Sequence, residues 1–197
     1  MKSNVCLLNG SSNDLLQIAQ EIEKVADYNK LTRKQIIQLL LLSEELVGIQ
    51  KGILGFTKGN FYIENAGNEY RLCLHADIYT DVIMQERFVE MSSNHENVAT
   101  KGIGGKIRYV VNYLMNAKSD VLPDYDLFAS QSNGYYDVLS DYDKIWSLGD
   151  YKGGVSEGTE IWDEMERSIV VNLADDLIVG AMSNYIDLIA VKKFKEL

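Results

Sequence analysis

The sequence predicts an α+β fold, a two-layer sandwich of a mostly antiparallel sheet with helices on one face. Three observations carry that expectation. Apolar residues recur at helical spacing over two long segments near the N-terminus, and alternating segments bounded by turn residues follow them and close the chain. The resulting order, strand, helix, helix, hairpin, helix, helix, hairpin, is not the regular strand–helix alternation of a parallel sheet. At 197 residues the chain is long enough for one well-buried core, so residues 1–197 are read as a single domain.

Asn4 to Leu8 forms a short strand. Ser11 or Ser12 then caps a helix in which Leu15, Ile18, Ala19, Ile22, Val25 and Ala26 repeat at helical spacing as far as Asp27. The second helix, within Leu31 to Gly55, opens on a capping box: Thr32 accepts a backbone N–H and Gln35 reaches back. Ile36, Ile37, Leu39, Leu40, Leu41 and Leu42 cover most of its circumference, which predicts a central helix and not a surface one. Phe61 to Glu64 and Tyr70 to Ala76 read as a hairpin around Asn65-Ala66-Gly67-Asn68, because Tyr70, Leu72 and Leu74 alternate with Arg71, Cys73 and His75.

Val82 to Met91 fits strand or helix, and the polar stretch from Ser92 to Thr100 is a loop. A helix starts near Gly105, carrying Ile107, Val110, Val111 and Leu114. Residues 119–158 are rich in Asp, Tyr, Ser and Gly; a loop of that length inside a compact domain reads as a lid, a binding loop or an insertion. Its aromatic residues, among them Tyr125, Tyr136, Tyr142 and Trp146, supply apolar area by which part of it docks. Thr159 caps a last helix with Trp162, Met165, Ile169, Val170 and Leu173 on one face, and Leu177 to Ala181 with Tyr185 to Val191 forms a closing hairpin around Ser183-Asn184.

Composition excludes several classes of function. A formal charge of −10 with scattered lysines and arginines repels phosphate backbones, so nucleic acid is not an expected partner. No apolar run approaches the roughly 20 residues that span a bilayer, and the N-terminus lacks the apolar length of a secretory signal. Cys6 and Cys73 fall in apolar strands, which points to buried thiols in a reducing cytoplasm. The two histidines, His75 and His95, form no zinc pattern with them and read as a strand residue and a loop residue, so no metal site is expected.

LLLSEELVG, from Leu40 to Gly48, resembles the L-x-x-S-E-A-x-x-N helix of the histidine-kinase-like ATPase fold shared by histidine kinases and gyrase (GHKL), and most closely its small version in the bacterial anti-sigma-factor serine kinases. The element order resembles that family over most of the chain. The resemblance implies Glu44 as the general base and places Gly48 where the family has a magnesium-coordinating asparagine. The family's Asp-x-Gly-x-Gly box follows the hairpin; Asp77 matches its adenine-binding aspartate, while Tyr79 and Asp81 stand in place of both glycines. For the phosphate-binding turn two stretches compete: Lys101 to Lys106, with Gly102, Gly104 and Gly105, and Gly153 to Gly158, with Gly153 and Gly154.

Each of these residues also has a plain structural reading. Glu44 and Glu45 can be a half-exposed helix end, Asp77 a turn former, and Gly102 to Gly105 a loop-to-helix junction. With Gly48, Tyr79 and Asp81 replacing family residues, the favoured expectation is a degenerate, noncatalytic member that binds a protein partner in bacterial signalling. The alternatives are an active serine kinase, the one case that requires ATP and magnesium, and a small-molecule sensor.

Overall fold

The computed structural model describes residues 1–54, 58–77, 144–149, 152, 168–181 and 185–195. In chain order they form β1 (Cys6–Leu8), α1 (Asp14–Asn29), α2 (Arg33–Leu54), β2 (Gly59–Ala66), β3 (Glu69–Asp77), β4 (Lys144–Ser147), α3 (Ile169–Leu173), β5 (Asp176–Ala181) and β6 (Tyr185–Lys193). The strands make one six-stranded sheet in the order β1-β2-β3-β6-β5-β4, with every neighbouring pair antiparallel. The expected α+β class and antiparallel sheet are what the chain forms.

Period-two patterning divides the sheet into two faces. Tyr70, Leu72, Leu74 and Ala76 of β3 and Ile186, Leu188 and Ala190 of β6 are buried in one cluster with Ile18, Ile22 and Val25 of α1, Leu39, Leu42 and Leu46 of α2 and Val170 of α3. This is the helix-covered layer and the main core. A second, smaller apolar cluster, Cys73, Ile178, Ile189 and Val191 with Tyr62 against it, lies on the other face. Both cysteines are buried free thiols, as their strand positions predict.

The capping box at the start of α2 forms as expected: Thr32 N donates to Gln35 Oε1 at 2.8 Å and Gln35 N to Thr32 Oγ1 at 3.4 Å. The cap of α1 differs. Neither Ser11 nor Ser12 is its N-cap; Asn13 is, with no side-chain hydrogen bond, and the preceding loop is tied instead to the buried Asp14, which accepts from Asn9 N, Gly10 N and Ser11 Oγ. A carboxylate has room for more donors than a hydroxyl and satisfies the whole turn.

The expectation that α2 is a central helix and not a surface one also needs correction, because Ile37 is 46% and Leu41 37% exposed. The helix lies on the sheet with an outer stripe in solvent. The stretch 119–158 is not without regular structure: β4 lies inside it as an edge strand, and Trp146 is buried in the main core. Ser168 caps α3, its hydroxyl accepting from Val171 N. Val82 to Met91, the Gly105 helix and the Thr159 cap lie outside the described residues. Among the described residues no helix is long and apolar enough to cross a membrane.

Candidate functional site

Glu44 is exposed on α2, on the same outer stripe as Ile37, Leu41 and Gly48, which follow at helical spacing. A Cβ placed on Gly48 would meet nothing within 4 Å. Asp77, the last residue of β3, falls in phase with Arg71, Cys73 and His75, on the sheet face turned away from the helices. The structure therefore does not bring Glu44 and Asp77 together; the sheet and its core lie between them. Gly102, Gly104, Gly105, Gly153 and Gly154 lie outside the described residues, as do Tyr79 and Asp81.

What Asp77 does meet is a histidine. Asp77 N donates to Lys58 O at 3.2 Å, toward β2, so alternation makes His75 and Asp187 a non-hydrogen-bonded pair between β3 and β6. Side chains approach most closely at such pairs. His75 Nδ1 lies 2.8 Å from Asp187 Oδ1 and donates to it, since an ionised carboxylate only accepts. On the other side His75 Nε2 is 3.6 Å from Asp77 Oδ1, and the Tyr185 ring stands 4.7 Å from the imidazole, tilted by 40°. The hydrogen bond to Asp187 raises the histidine above its ordinary value of 6.5 against the opposing effect of burial, and the charges of Asp187 and Asp77 add to the rise.

No family model, curated protein or solved structure matches this chain. What the face can do is therefore argued from its own chemistry.

At the opposite end of the β3–β6 pairing the same face carries a second charged group. Glu69 accepts from Arg71 Nε at 2.7 Å and pairs with Lys193 Nζ at 3.2 Å. Burial pushes its carboxyl up, but these donors outweigh that and hold it below its ordinary value. A shallow cleft of about 370 Å³ adjoins it, lined by Lys2, Glu64, Asn65, Glu69 and Arg71 among others; Lys2 pairs with Glu64 at 3.4 Å and sits 3.5 Å above the Tyr62 ring. Between the two charged ends lies Cys73, whose thiol burial pushes up to about 12, so it is no thiolate nucleophile near neutral pH.

Among the described residues no group of three or more His, Cys, Asp or Glu is placed to hold a metal ion. The imidazole of His75 has a carboxylate at each nitrogen, an arrangement suited to holding a proton between two anions. His75 looks like an ordinary strand residue in the sequence and Asp187 carries no local signal. The alternation of β3 does place His75 in phase with Arg71, away from the apolar residues, but nothing local states that β6 pairs beside it.

Proposed function

We propose that this chain is a noncatalytic regulatory or partner-binding protein, built on a degenerate histidine-kinase-like ATPase scaffold and acting in the cytoplasm in bacterial signalling. The scaffold part rests on the resemblance of Leu40 to Gly48 and of the order in which strand, helices and hairpins follow one another. The noncatalytic part rests on one observation: Glu44 faces solvent on α2 while Asp77 is on the far face of the sheet. A general base works only within hydrogen-bond reach of the proton it removes, directly or through one water, and a nucleotide held at Asp77 is out of that reach. Gly48 supplies no side-chain oxygen to a hard cation that demands near-octahedral oxygen geometry.

Thermal melts with and without Mg-ATP or Mg-ADP test this reading. The expected result is an unchanged midpoint. A ligand that binds only the folded state stabilises it by about 2.7 kcal/mol at a hundredfold excess over Kd, so a rise in midpoint that Asp77→Ala abolishes would overturn the noncatalytic reading in favour of the kinase. Co-purification with a sigma factor or a phosphorylatable antagonist is the expected sign of the partner.

A further inference from the structure

Among the described residues the sheet divides into two parts, β1-β2-β3 and β6-β5-β4, which meet where β3 pairs with β6. On the face away from the helices that seam has a charged group at each end and an apolar middle, the Cys73–Ile189 pair. One end is Glu69 with Arg71 and Lys193, residue types whose ordinary titration ranges lie far from neutrality. The other is His75 with Asp187 and Asp77. The seam is thus clasped twice, once by groups that do not titrate near neutrality and once by a group that does.

We infer that His75 is a proton-operated clasp: protonated, it bridges Asp187 on β6 and Asp77 on β3 and keeps that end of the seam shut, and on losing its proton it lets the end fray. Asp187 and Tyr185 from β6 and Asp77 from β3 face the imidazole, its β2 neighbour Asn60 carries no charge, Lys58 stands beside Asp77 on the β2 side, and Tyr62 and Cys73 share the face near Asp187. Deprotonation leaves two carboxylates about a neutral ring at the seam end. Asp187 has 14% of its side chain exposed and His75 27%, so solvent screens the inner pair only in part.

The sign follows from the raised titration of His75. A group held more basic in the folded state contributes stability that is fully present below its unfolded value, near 6.5, and is lost as the pH rises through the folded value. Fraying is therefore expected on the alkaline side, and each unit of elevation corresponds to about a tenfold change in the opening constant.

Hydrogen exchange followed by NMR from pH 5.5 to 9, corrected for intrinsic exchange rates, reads both ends of the seam. Because Asp77 N–H is turned to β2, the amides of Ala76 and Ile186 face each other across the seam at the His75 end, and those of Tyr70 and Lys192 do so at the Glu69 end. Protection at Ala76 and Ile186 should fall with the midpoint at which the His75 ring nitrogens titrate, while Tyr70 and Lys192 stay flat. His75→Gln should remove the pH step, and Asp187→Asn should move both midpoints to lower pH together. The clasp is overturned if His75 titrates in the unaltered chain with no change in protection at Ala76 and Ile186. It is equally overturned if both ends change in parallel, or if the step persists in His75→Gln.

Discussion

A Cβ on Gly59 would lie 2.5 Å from the carbonyl oxygen of His75 and 3.1 Å from Gln50 Nε2, so this position in β2 accepts no side chain without moving the neighbouring strand. Backbone yields less readily than the end of a flexible side chain. Gly59→Ala is expected to cost about 1–3 kcal/mol, read as a lower urea midpoint; an unchanged midpoint would mean β2 and β3 separate there freely. Two leucines make the opposite comparison. Leu72 is fully buried and Leu7 is 70% exposed at the sheet edge. Leu72→Ala should lose about 2–5 kcal/mol and Leu7→Ala no more than about 0.5 kcal/mol, because only the first leaves a cavity.

At the scale of elements, the β2–β3 turn and the capping box of α2 are plain in the sequence because they are local, whereas the cap of α1 is not, because Asp14 takes the donors that a serine cap would share. Thr32 and Gln35 contact each other across three positions, and Gly67 takes a φ of 63° in the turn joining β2 and β3, as the loop signal between Glu64 and Tyr70 anticipates. Thr32→Ala should cost about 1 kcal/mol in the same denaturation experiment, with Thr32→Ser retaining most of it. Phase in α2 was not readable. From Ile36 to Leu42 apolar residues stand at almost every position, so no arc of the helix is marked as the outer one, and only docking on the sheet leaves Ile37 and Leu41 in water. β4 has no signature in the sequence for a related reason: four residues around one buried tryptophan, amid aspartates and serines, carry no alternation long enough to count.

For the whole molecule, the sequence states which residues pair within a hairpin but not which hairpins lie side by side. His75 and Asp187 are 112 positions apart, and no pattern in either strand announces the other. The same gap separates the site that the family resemblance suggests from the arrangement in space, where Glu44 and Asp77 take opposite sides of the sheet. Acid behaviour also belongs to this scale. Glu21, on α1, accepts from Asn4 and Lys24, and Glu69 from Arg71 and Lys193; in both, burial pushes the carboxyl up and these donors outweigh it, leaving a lowered value. A lowered carboxyl adds stability above its unfolded value that disappears as the pH falls through the folded one. Melting between pH 6 and pH 2.5 should therefore fall less steeply in Glu69→Gln than in the unaltered chain, and equal slopes would assign the acid loss elsewhere.

The 112 positions between the two sides of the central seam have a kinetic consequence as well. Each hairpin closes a short loop and can zip early, whereas β3 and β6 must find each other through a long search whose entropy is spent before any contact rewards it. The slow event in refolding should be the meeting of two preformed halves. Substitutions within the turn at Gly67, formed before that meeting, should then slow the approach to the native state and leave its rate of loss nearly unchanged, while those along Cys73 and Ile189 divide between the two rates.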